Sequence, residues 1–174
     1  MKKILIILFI ISVIFMLIKN EETVMIPDES IRFRVIANSN DKEDITIKEY
    51  LTKKIIDNNK ELFESESIND SRQKINNSID KLNLLINNTF SELNYNKDYK
   101  VNYGINYFPE KKYKGIKYKE GYYESLVVTI GEGKGNNYFC VMYPPLCLID
   151  ESNLDDAEYK FKIIEILEKF IIKK

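Results

Sequence analysis

The sequence predicts an α+β domain with helices packed on one face of a mainly antiparallel sheet, in the order β-α-α-β-β-β-α, behind an N-terminal apolar helix. Three observations carry that expectation. Apolar residues recur at every second position in short stretches, the signature of half-buried strands. They recur at every third or fourth position in longer stretches, the signature of amphipathic helices. The two periods come in blocks, and their order indicates a two-layer α+β domain.

Each element follows in turn. Ile31, Phe33 and Val35 alternate with Arg32 and Arg34, marking a strand. Asn40 stands where a helix cap is wanted, with Glu43 three residues on as a capping-box partner. Ile47, Leu51, Ile55 and Leu62 supply that helix's apolar stripe. A second helix starts at Ser67, with Asp70 near its first turn, and carries Ile75, Ile79, Leu82, Ile86, Phe90 and Leu93 at helical spacing. The period then falls to two at Val101, Tyr103, Ile105 and Tyr107, and Pro109 ends the strand. Residues 111–121 read as a basic, tyrosine-bearing connection. Leu126, Val128 and Ile130 define a third strand. The nearly all-apolar run 138–143 defines a fourth, expected to be central and covered on both faces. Ala157, Phe161, Ile164, Leu167 and Ile171 mark a closing helix. Residues 31–174 form one domain, after a linker at 20–30 in which Pro27 prevents helix continuation.

Lys2 and Lys3 precede a largely apolar run over 4–18, the length of a signal-peptide core and short for a full membrane span. No small-x-small cleavage pattern follows Ile18, so segment 1–19 reads as an export signal, either cleaved or kept as an anchor. Basic residues ahead of the run place the N-terminus in the cytoplasm and residues 20–174 outside.

Composition removes several function classes. The formal net charge is -1, so no bulk electrostatic attraction to nucleic acid is expected. Histidine is absent, which excludes Ser–His and Cys–His nucleophilic pairs and histidine-ligated zinc. No acidic cluster has metal-ligand spacing, and neither a metal nor a cofactor is expected.

The special residues gather in 121–150, which holds Gly121, Gly131, Gly133, Gly135, Pro144, Pro145, Cys140 and Cys147. The stretch GEGKG at 131–135 lacks the lysine-serine or lysine-threonine of a phosphate loop and leads into a strand, so it reads as a turn between strands. It is longer than a hairpin needs, and Glu132 and Lys134 at its tip are candidate partner contacts. Cys140 and Cys147 fit a disulfide, two buried thiols or a reactive thiol. Arg32 and Arg34 are two of only three arginines. They read either as an exposed polar face or as a fixed contact, to a partner or to Glu124 or Asp150. Tyr122, Tyr123, Tyr138 and Tyr143 suit an interface or ordinary cross-strand packing.

The block IRFRVIANS at 31–39 with the acidic helix start at 41–44, and the block 121–150 containing IGEGKGNNYFCVMYPPLC, resemble the stage II sporulation protein R family. The resemblance implies a non-enzymatic, secreted signal of endospore formation. Such a protein is exported from the forespore into the space between forespore and mother-cell membranes. There it activates a membrane-embedded aspartic peptidase, which processes pro-sigma-E. Two other readings fit the residues alone: a thiol-dependent hydrolase or redox protein of the cell envelope using Cys140 or Cys147, and an envelope-binding module. The export expectation has a direct check. Replacing Leu8 and Ile11 with aspartate, at roughly 3 kcal/mol per charge in an apolar segment, abolishes translocation in a fractionation assay; normal export of that variant refutes the signal.

Overall fold

The computed structural model describes residues 24–113, 116–149 and 154–172; the apolar run at 4–18 and Asp150 lie outside them. Among the described residues the strands are β1 (Val24–Met25), β2 (Ile31–Ile36), β3 (Tyr99–Phe108), β4 (Lys111–Tyr113), β5 (Ile116–Tyr118), β6 (Gly121–Ile130) and β7 (Asn137–Tyr143). The helices are α1 (Lys42–Asn58), α2 (Lys60–Phe63), α3 (Ile68–Glu92) and α4 (Asp156–Leu167), with a 3₁₀ turn at Leu146–Leu148 and a π turn at Glu168–Ile172.

A four-stranded sheet in the order β3-β6-β2-β7 forms the middle layer. On one face, Ile31, Phe33 and Val35 of β2 and Leu126, Val128 and Ile130 of β6 share a core with Leu51 and Ile55 of α1 and Ile75, Leu82 and Ile86 of α3. The 3.6-residue stripes of the helices meet the two-residue alternation of the strands there, and each buried Leu or Ile contributes roughly 1.5–3 kcal/mol. Ser67 begins α3 as its spacing suggests, its hydroxyl accepting from the Asp70 amide at 3.1 Å. The opposite face lies under a small sheet, β1-β5-β4, and under α4. Ile26, Ile116, Tyr118, Val141, Leu146, Tyr159, Ile163 and Leu167 form that second core.

The α+β class stands, but the layering and element order differ from the expectation. The sheets are mixed, because β2 pairs parallel with β6 and β1 parallel with β5. Helices lie on both faces, since α4 packs opposite α1 and α3. The expected connection at 111–121 folds into β4 and β5, with Lys111 opposite Tyr118 and Tyr113 opposite Ile116. The run 138–143 belongs to an edge strand, not a central one, because β7 pairs with β2 alone. Its apolar character comes from coverage of both faces: Cys140 and Met142 meet the helix layer, and Phe139 and Val141 meet the second core.

Two local expectations also shift. The α1 cap is Asp41, not Asn40, because the Asn40 side chain is engaged across the fold. The closing helix buries Tyr159, Ile163 and Leu167, while Ala157 and Phe161 of the expected stripe are exposed. Tyr159 fixes this phase by packing edge-on against Tyr113, ring centroids 6.0 Å apart. The phase is testable by urea unfolding. Ile163→Ala, at a fully buried site, costs about 2–5 kcal/mol. Phe161→Ala, at a site 68% exposed, stays within about 0.5 kcal/mol. Equal losses contradict the assignment.

Candidate functional site

Parallel pairing sets the position of the site. Ile36 of β2 lies beside Thr129 of β6, so the segments leaving both strands emerge at the same end of the sheet. One is 37–40, Ala-Asn-Ser-Asn, and the other is the glycine-rich 131–136. They interlock. The Lys134 and Gly135 amides donate to the Asn38 and Ala37 carbonyls, each at 3.0 Å. The Glu132 amide donates to Asn38 Oδ1 at 3.0 Å, and the Asn136 amide to Asn40 Oδ1 at 2.7 Å. Gly131 anchors the loop's start through the Asp98 carbonyl at 2.7 Å.

The glycines are required by this packing. Gly131 has φ +52°, and a Cβ there would overlap the Asn38 side chain. At Gly135 a Cβ would overlap the Ser39 carbonyl, which is backbone and cannot step aside. The hydrogen bonds also decide against a phosphate-binding role. The amides of Glu132, Lys134, Gly135 and Asn136 already donate within the interlock and do not converge on an open cradle.

A buried polar relay supports the interlock from below. Asn38 Nδ2 donates to Asp44 Oδ2 at 2.7 Å, and the Tyr95 hydroxyl donates to Asp44 Oδ1 at 2.6 Å. Tyr95 reaches this point because α3 ends at a left-handed Asn94 (φ 50°), and the Tyr95 amide returns to the Phe90 carbonyl at 2.9 Å. Burial alone would raise the Asp44 carboxyl, but hydrogen bonds from Tyr95, Ser39 and Asn38 outweigh it and hold the group at about 2. Burial and then the Asp44 contact push the Tyr95 phenol up.

Glu132 and Lys134 stand at the exposed tip, paired at 2.6 Å. Their hydrogen bond lowers the Glu132 carboxyl and raises the Lys134 ammonium, so both remain charged at neutral pH. The arrangement presents one charge of each sign on a braced loop. It can recognise a complementary surface, and it places no base beside a nucleophile.

The other expected site residues lie elsewhere. Arg32 and Arg34 belong to the sheet face opposite α1 and α3, and Arg32 is fully buried, so neither an exposed polar face nor the loop site includes it. The small sheet and the rings of Phe108, Tyr123 and Phe139 cover that face. Glu124 is the partner of the third arginine instead: Arg72 of α3 reaches it at 2.8 Å, and the Tyr103 hydroxyl at 2.5 Å. Cys140 and Cys147 are joined in a disulfide that ties the 3₁₀ turn to β7. Tyr123 packs under Arg32, Tyr138 against Phe33 and Tyr143 against Phe170, whereas Tyr122 is exposed beside Tyr107. Sequence reading missed Asn38, Asp44 and Tyr95. The signal available was the Asn-Ser-Asn run directly after a strand, since these side chains favour backbone-binding turns.

Residues 27–153 match the model of the family described as Stage II sporulation protein R. Stage II sporulation protein R of Bacillus subtilis (strain 168) is 32% identical over 136 residues, covering 76% of this chain and 59% of that relative. The chain thus spans about three fifths of the relative's length. No solved structure matches.

The relay has an acid signature. Because the Asp44 carboxyl is depressed in the fold, its contribution is full above the ordinary value of 3.8 and is lost as pH falls through about 2. In Asp44→Asn that component of the acid unfolding curve is missing. Amide exchange at Glu132 also rises, because Asn38, whose Oδ1 accepts from that amide, loses its charged acceptor. Acid curves and exchange rates matching the parent chain would contradict the relay.

Proposed function

The chain belongs to the stage II sporulation protein R family, and we propose that it acts in sporulation as the exported signal that activates the membrane-embedded peptidase responsible for processing pro-sigma-E. On this reading segment 1–19 carries the chain out of the forespore, as a cleaved signal or a retained anchor. The folded domain then acts in the space between the two membranes. The domain is a ligand for the peptidase and not itself an enzyme.

The observation that carries the reading is the interlocked loop. A connection between strands needs neither the residues of GEGKG nor a set of hydrogen bonds to a second loop, and here both serve to hold Glu132 and Lys134 outward. Rigid loops on a sheet edge are where recognition side chains concentrate. A thiol-dependent activity is disfavoured, since the chain's two cysteines are spent in one disulfide and no histidine is present to activate a thiol.

The test is co-expression of the chain with the peptidase and pro-sigma-E in a heterologous host. Substituting both Glu132 and Lys134 by alanine abolishes processing while the thermal midpoint of the purified full chain changes by no more than about 2 °C, as expected for exposed sites. Undiminished processing by that variant contradicts the role of the loop. Absence of processing with the parent chain contradicts the function itself.

A further inference from the structure

The sheet face opposite α1 and α3 holds a second concentration of charge, separate from the loop. Arg32 is fully buried, and its Nε, Nη1 and Nη2 have no hydrogen-bond partner among the described residues. Its guanidinium carbon lies 3.2 Å from the Tyr123 ring centroid, 5.3 Å from that of Phe108 and 5.7 Å from that of Phe139. Two residues along, Arg34 stands 4.4 Å from the same Phe108 centroid, with its own Nε buried and unpartnered. Guanidinium stays protonated at any ordinary pH, so two cations share one aromatic wall. Aromatic faces attract a cation but offer no oxygen acceptor, and a desolvated charge without one is costly.

A cavity of about 100 Å³ opens beside them, with Arg34, Lys111, Asn137, Phe108, Phe139 and Tyr118 in its lining. Glu110, the one acid lining it, is paired with Lys117 at 2.8 Å. Among the described lining residues, the positive charges of Arg34 and Lys111 therefore face no free carboxylate. Its volume is that of a few water molecules at roughly 30 Å³ each, enough for an acetate-sized group and too small for a nucleotide or a sugar. We infer that this cavity is a carboxylate-binding site, in which the planar fork of Arg34 and the ammonium of Lys111 hold the ligand while Arg32 attracts it from behind Phe108. The flanking aromatic rings favour a planar carboxylate over a tetrahedral anion. The carboxylate is supplied either by a free small acid or by an acidic side chain of a bound peptide. This site does not depend on the function proposed for the loop.

The test follows the thermal midpoint of the full chain, purified in detergent, against sodium acetate, sodium chloride, acetamide and inorganic phosphate at matched concentration and ionic strength. Acetate raises the midpoint saturably, and chloride and acetamide do not. Arg34→Met and Lys111→Met each reduce the acetate response at least fivefold. Should Arg34→Met fail to fold, Lys111→Met decides, because Lys111 is exposed and its loss leaves the core untouched. A short peptide carrying one aspartate, with both ends blocked, is compared with its asparagine counterpart. A response to the aspartate peptide stronger than to acetate assigns a peptide-borne ligand, and the reverse order assigns a free acid. Equal responses to acetate and chloride, a stronger response to phosphate, or undiminished responses in the variants overturn the site.

Discussion

The parallel pairing of β2 with β6 is the constraint on which the rest of the structure depends. It sets the two most thoroughly buried strands side by side in the middle of the sheet, with Phe33 beside Leu126 and Val35 beside Val128. It also points their C-terminal ends the same way, and so it creates the loop site. The register admits no slip. Moving β2 by one residue would turn Phe33 and Val35 out of the helix-side core and drive Arg32 and Arg34 into it. The same slip would carry Asn38 away from the Glu132 amide and dissolve the interlock. Core packing and site geometry therefore select the same pairing, and each reinforces the other.

The two faces of the sheet serve different ends. On the helix side, apolar stripes fill the interior, and the Asp44 relay braces the loops from below. On the other side, the buried Arg32 guanidinium and the Nε of Arg34 sit among rings with no hydrogen-bond partner among the described residues. The disulfide between Cys140 and Cys147 and the packing of Tyr143 on Phe170 hold the far edge of the sheet, leaving the loop end and the cavity as the places where chemistry is concentrated.

Much of the fold was legible in the residues. The alternation at Ile31, Phe33 and Val35, the helical spacing from Ile75 to Phe90 and the cap at Ser67 all appear where the periods place them. These are local signals, set by which face of one element is apolar. What local signals do not carry is partnership. Nothing in the period of β2 states that it runs parallel to β6, and the apolar run of β7 reports coverage of its faces without reporting its place at an edge. Arg32 and Arg34 resembled a polar face because side-chain type says nothing about aromatic rings contributed from residues 108, 123 and 139. β4 and β5 are three residues each, too short to establish a period. At the site, Glu132 and Lys134 were legible as the tip of an overlong turn. The relay beneath was not, because Asp44 and Tyr95 are separated by 51 residues and meet only through the fold.

The central claim is that two loops joined by parallel strands form one recognition surface. Amide hydrogen exchange on the full chain, with and without the peptidase in membranes, tests it most directly. The account predicts that protection rises together at Asn38–Asn40 and at Glu132–Asn136 when the peptidase is present, with little change along β3 and around Tyr122. Protection confined to the Tyr107–Tyr122 end of the sheet, or absent from both loops, would contradict it.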